Sequence, residues 1–342
     1  ADRKIQEKYL IVHYSVREVL DIAGLNYTDL LLSIGAKIFN KAIDEKLKPR
    51  KGLLDELSRW KSTVEKEMVS EEGEAVEAEI GLNAFFAKIL GILKMTYTSR
   101  EKIRQIIEPR LPELIGITNL IIGDVEQKAG KKVLVAIDDL DKPDLPVARS
   151  LFYERQTSLT QPACSIIYTI PIAILYSPDA GQVRQAFTES HVLPNVTITK
   201  RADRSPDEDG RRLMKEFVLK RMSQDLIEED ALDRAVTISG GVFREMVRII
   251  RIADYNVTAR GEEKIQKCDV KDVESELRNE FRRMLETGDY AALKGIYEKR
   301  ELRGSETCAK LLHNLSILEY RNEENWCDVH PVVIPLIEGV ET

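Results

Sequence analysis

The segment Lys132–Asp144, KVLVAIDDLDKPD, constrains this chain more than any other. Apolar, largely β-favouring residues run without a break from Val133 to Ile137 and stop at two adjacent carboxylates, Asp138 and Asp139. A continuous apolar run of this length reads as a strand buried in a parallel sheet. Ligands of such sheets gather at the C-terminal ends of the strands. Two acids at that place suit a Mg²⁺ ion and, beside it, the water that attacks a nucleoside triphosphate. The plainer alternative is an ordinary strand that ends in an acidic turn or helix N-cap.

The flanking segments supply context. Tyr9–Val16 is β-rich, and Tyr27–Ala42 then places Leu30, Leu31, Ile34, Ile38 and Ala42 at helical spacing. After the acidic pair, Val147–Thr157 reads as a helix and Cys164–Leu175, CSIIYTIPIAIL, as a further buried strand. Strand, helix and strand in this order imply parallel pairing with a right-handed crossover, so Asp138, Asp139 and Thr169 are expected at one edge.

Between the first two strands the chain is too long for a simple crossover. Residues 48–130 therefore read as a helical insertion, with Arg100–Gln127 amphipathic through Ile103, Ile107, Leu111, Leu114, Ile117, Ile121 and Ile122. Lys48–Glu79 differs in character, with seven acids between Glu65 and Glu79 against one lysine. It is expected to be a solvated helix or mobile excursion, exposed, dispensable for the core and available to a partner.

Beyond the polar stretch Lys200–Gly210 the strands give way to helices, notably Arg211–Leu226 and Val242–Thr258. In the second of these, Arg244, Arg248 and Arg251 share a face opposite Met246, Ile249, Ile250, Ala253 and Val257. Asp269–Thr287 aligns Val273, Leu277, Phe281 and Leu285 on one side, and a two-stranded pattern surrounds Arg321–Asn325. That is a winged-helix layout, with Ser305–Leu315 as its recognition helix.

Four segments together resemble the AAA+ and STAND branch of P-loop ATPases, in particular origin-recognition-like members that end in a winged helix. They are VLVAIDDLDKPD as the Walker B strand, SIIYTIPIAIL as the sensor-one strand, SGGVFREMVRIIRIA as the sensor-two helix and LLHNLSILEYRNEENWCDVHPVV as the wing. The resemblance implies an α/β fold: a parallel-sheet P-loop ATPase core over 1–200 with the insertion at 48–130, a helical lid over 201–268 and a winged helix over 269–342. It implies ATP and Mg²⁺ as cofactors, with Asp138 holding Mg²⁺ through water. Asp139 stands where many members carry a catalytic glutamate, one methylene longer, which fits slow, switch-like hydrolysis. Thr169 takes the sensor-one place. Gly240 and Gly241 form the nucleotide-side turn before Arg244, the sensor-two arginine. The resemblance also implies a homo-oligomer or larger assembly, in which Arg149, Arg155 or Arg184 completes a neighbour's site. A protein partner would meet the insertion and the winged helix, and duplex DNA is a further candidate partner.

One departure is large. No GxxxxGK[ST] occurs in the 342 residues, and that loop supplies the N–H nest, the lysine and the hydroxyl that hold the phosphates and Mg²⁺. The family places it just before the helix that leads to the strand matched here by Tyr9–Val16, so a core truncated at its N-terminus is expected. The reading from another class is a non-hydrolysing interaction or DNA-binding module on an ATPase-like frame.

Several classes are disfavoured. The net charge of −7 argues against a grip on nucleic acid by the whole chain. The most apolar stretch, Ile80–Met95, is interrupted by Asn83, Lys88 and Lys94 and is too short to span a bilayer. The four scattered cysteines suit reduced thiols and a cytoplasmic location. Cys308, His313, Cys327 and His330 have a spacing that could suit Zn²⁺; otherwise the cysteines fill the core and His330 caps the turn before Pro331.

Overall fold

Three parallel strands frame the site: β1 (Tyr9–Ser15), β2 (Lys132–Asp138) and β3 (Ser165–Tyr168), in the order β1-β2-β3. The computed structural model describes residues 3–72 and 81–338. The chain divides into two units, Ala1–Leu175 with Asp179–Glu189, and Tyr176–Pro178 with Ser190–Thr342.

In the first unit, paired residues of β1 and β2 point the same way. Leu10, Val12 and Tyr14 therefore lie beside Val133, Val135 and Ile137 on one buried face. Helices α1 (Tyr27–Asp44) and α5 (Leu111–Ala129) belong to the same core through Leu30, Ile34 and Ile38, and through Leu114, Ile121 and Val125. The Tyr14 hydroxyl and Ser33 Oγ, 2.8 Å apart, tie β1 to α1. The other face bears Ile11, Leu134, Ala136 and Ile167, and none of them is buried. Burial on both faces, expected from the unbroken apolar run, is thus corrected: β2 alternates between a buried and a half-open side. The third strand is also shorter than expected. It stops at Tyr168, and after Pro171, which has no N–H to donate, Ile172–Tyr176 forms a 3₁₀ turn.

The insertion contributes α2 (Lys51–Glu72), α3 (Leu82–Leu93), α4 (Tyr97–Ile107) and α5. The exposed character expected of Lys48–Glu79 is corrected for α2, which buries Leu57, Trp60, Val64 and Met68. Their spacing of three, four and four is a helical repeat hidden among the acids. Trp60 meets Phe85 edge-on at 5.9 Å, and its indole N–H donates to the Arg110 carbonyl. Burying side chains of this size contributes roughly 1.5–3 kcal/mol each, which the surrounding carboxylates do not cancel. The remainder of that acidic stretch, residues 73–80, lies outside the described residues. The amphipathic run Arg100–Gln127 is divided between α4 and α5 by a 3₁₀ turn at Glu108–Arg110, with Pro109 and Pro112 beside the break.

The second unit packs α6 (Glu208–Leu219), α7 (Glu229–Ile238), α8 (Phe243–Ala259) and α9 (Lys267–Met284). It continues with α10 (Thr287–Lys299), α11 (Glu306–His313) and an antiparallel hairpin, β4 (Ile317–Arg321) with β5 (Asn325–Val329). Residues 190–200, read in the sequence as the end of the first domain, belong to this unit. The stitching is local: Asn195 bridges to Tyr320, the Val196 N–H donates to the Gly241 carbonyl, and Ile198 is buried.

Candidate functional site

Register brings the site together. Ser15, the last residue of β1, lies opposite Asp138, the last residue of β2. Asp138 is exposed at the strand end, and the chain turns at Asp139 with φ +64°. That left-handed backbone is uncommon for a residue with a Cβ, although Asp tolerates it better than most, and such strain costs roughly 1–3 kcal/mol. The turn is held from several sides. The Asp139 N–H donates to Asp138 Oδ1 at 2.8 Å, and Ser15 Oγ donates to Asp139 Oδ2 at 2.5 Å. Next in the chain, the fully buried Leu140 anchors the loop in the core.

Thr169 sits beside this turn, just past β3. Its Oγ1 accepts from the Leu140 N–H at 3.1 Å and donates to the Ile137 carbonyl at 3.3 Å. The hydroxyl is therefore engaged in bracing the backbone around Asp138 and Asp139. Asp141 pairs with Lys142, and Asp144 caps the following helical turn by accepting from the Val147 N–H.

Ligand oxygens of Asp138, Asp139 and Asp141 lie within 4.8 Å of one another. Among the described residues this is the sole group of three or more such side chains positioned for one metal ion. Hard carboxylate oxygens fit Mg²⁺ or Ca²⁺, so the residues present suit the cation the sequence implies. Cys308, His313, Cys327 and His330 are not gathered into such a group. Burial instead pushes the Cys327 thiol up to about 12 and His330 down to about 3. His330 Nδ1 accepts from the Val332 N–H, capping the turn at Pro331.

The other sequence candidates have separate settings. Arg149 pairs with Asp179 at 2.5 Å and lies over the Tyr153 ring, Arg155 lies over the Tyr27 ring, and Arg184 is exposed. Gly240, Gly241 and Arg244 belong to the second unit. Both glycines have left-handed φ, +60° and +77°. A Cβ on Gly241 would stand 1.8 Å from the Val196 carbonyl oxygen, and one on Gly240 would stand 2.3 Å from Leu318. The Gly240 carbonyl accepts from the Tyr320 hydroxyl at 2.7 Å. The requirement for glycine here is met by packing within the unit. Arg244 stands exposed in the first turn of α8.

The helix expected to read DNA offers little positive charge. Lys310 on α11 pairs with Glu286 and Asp289, and the hairpin tip exposes Arg321, Glu323 and Glu324, the last paired with Arg201. Among the described residues no helix is long and apolar enough to cross a membrane.

Ser15 is the site residue that sequence reasoning missed. A serine at a strand end carries no signal until strand register sets it against Asp138. Comparison of the chain with protein families, with curated proteins and with solved structures returns no match.

Proposed function

We propose that the chain is the carboxylate-bearing part of a nucleoside-triphosphate switch of the AAA+/STAND type, with the cation site at the end of β2. The observation that carries this reading is the strained Asp139 beside Asp138 at the C-terminal end of the central parallel strand. Asp139 is one of five non-glycine residues with left-handed φ among the described residues, and it is the one that stands at the end of a parallel strand beside a second carboxylate, a place where such strain can serve chemistry. In this reading Asp138 would hold Mg²⁺ through water, with Asp139 placed to orient the attacking water. Ser15 occupies one Asp139 oxygen and so sets how freely that carboxylate reaches the water.

Mg²⁺ would supply charge neutralisation of the phosphates. The carboxylates do not fit the phosphates themselves, since like charges repel. These residues include no GxxxxGK[ST], so the reading requires a phosphate cradle from a segment outside this sequence. Arg244 is the proposed phosphate sensor, and oligomerisation with Arg149, Arg155 or Arg184 acting on a neighbour belongs to the same proposal.

The test is phosphate release from ATP by this chain and by a form extended upstream through a GK[ST] loop. The reading expects turnover in the extended form alone and its loss on Asp139→Asn. Turnover by the present chain, or undiminished turnover after Asp139→Asn, contradicts it.

A non-hydrolysing interaction module is the second reading. It is favoured by the local engagement of both the Thr169 hydroxyl and Asp139. It expects an extended form that binds ATP without releasing phosphate.

A further inference from the structure

The outer side of α8 borders an open depression of about 910 Å³, lined by residues of this helix alone that include Arg244, Val247, Arg248, Arg251, Asp254 and Tyr255. These positions follow a helical stripe, while Met246, Ile249, Ala253 and Val257 bury the opposite face. At one end Phe243 packs on Phe217 of α6, ring centroids 4.6 Å apart, and Arg221 stands 3.9 Å over the Phe217 ring. Phe243 and Tyr255 remain 41% and 74% exposed.

Charge on this stripe runs against the chain as a whole. The net charge is −7, yet the lining carries three arginines against one acid, Asp254; Arg248 is paired with Glu280, while Arg244 and Arg251 are exposed with no acidic partner among the described residues. The stripe is mixed, its arginines alternating with the exposed Phe243, Val247 and Tyr255. Exposed aromatics beside arginine are the composition of an interface centre. A duplex phosphate backbone is the poorer match, because it pairs with the guanidinium groups and leaves Phe243, Val247 and Tyr255 without an apolar partner.

We infer that this stripe docks an acidic amphipathic helix of a partner protein, with its carboxylates on Arg244 and Arg251 and its apolar side chains on Phe243, Val247 and Tyr255. From Phe243 to Tyr255 the stripe runs about 18 Å, the length of three to four helical turns. The inference shares Arg244 with the phosphate-sensing role proposed above, and its test is therefore placed at Arg251 and Tyr255, which that role does not use.

The test starts from the full chain as target for a displayed library of helix-constrained peptides of about 16 residues. The enriched peptide is synthesised and its affinity measured for the parent chain, Arg251→Glu and Tyr255→Ala. Both altered residues are exposed, and thermal melting checks that the variants stay folded. Enriched peptides are expected to carry Asp or Glu beside an apolar stripe and to bind more weakly as salt rises. Affinity should drop about tenfold in each variant. Exchange of the facing acid for lysine should restore binding to Arg251→Glu. The inference is overturned by no enrichment, by enrichment without acids, or by equal binding to Arg251→Glu. It is also overturned if a short DNA duplex binds more tightly than any peptide and loses affinity in the same variant.

Discussion

Of the left-handed positions in the two units, the turns at Gly240–Gly241 and at Asp139 look alike in backbone and differ in cause. At Gly240–Gly241 glycine is required because neighbouring backbone and Leu318 fill the space a Cβ would take. At Asp139 the residue has a Cβ, the strain is not relieved by glycine, and the side chain is held by Ser15. The first turn is explained by packing and the second is not. The glycine turn thus has a packing explanation, whereas the Asp139 turn sets a carboxylate where glycine would be more comfortable.

The largest effect that would break this contrast is on the glycine side. Gly241→Ala should destabilise the second unit by roughly 3 kcal/mol or more, since φ +77° and a backbone oxygen at 1.8 Å both oppose a methyl group. Chemical denaturation checks this, and a near-neutral result would mean the turn relaxes easily.

Acid should next separate the two turns. A Cβ on Gly240 would also meet Pro331, so the glycine turn packs near the residue that follows His330. Burial lowers the His330 pKa to about 3, against an unfolded value near 6.5. The unfolded chain takes up the proton first. Stability from this group is thus intact above about pH 6.5 and falls as pH drops toward about 3, by about 1.4 kcal/mol per pH unit. His330→Leu should flatten that part of the profile for the second unit. An unchanged slope would assign the acid sensitivity elsewhere.

Ser15→Ala should cost roughly 1–2 kcal/mol, because the hydroxyl both donates to Asp139 and accepts from the Arg17 N–H at the start of a helical turn. Smallest in magnitude and opposite in sign, Asp139→Gly should be neutral or stabilise the fold by about 1 kcal/mol while removing the carboxylate proposed to orient water. A clear loss of stability would show that the Asp139 side chain is structural, and the contrast between the turns would dissolve.

Much of the frame was legible because it rests on local patterns. The strands at Tyr9 and Lys132 and the helices at Tyr27 and Phe243 follow from apolar spacing alone. The role of Trp60 was missed because the acids between Glu65 and Glu79 dominated the reading of a segment whose apolar repeat lies earlier, at Leu57, Trp60 and Val64. The third strand was overextended because Ile172 and Ile174 favour β-structure locally, whereas Pro171 interrupts the ladder. At the site, Asp138 and Asp139 were visible as adjacent acids. The bond from Ser15 was not, since it joins residues 124 positions apart and depends on strand register.

The central claim is that a divalent cation binds at the carboxylate turn and not at the glycine turn. Mn²⁺ titration followed by amide NMR line broadening tests it on this chain directly. The account expects one site, with broadening centred on Ser15 and Asp138–Lys142, sparing Ser239–Val242, and abolished by Asp138→Asn. Broadening centred on another part of the chain, or unchanged in Asp138→Asn, would contradict it.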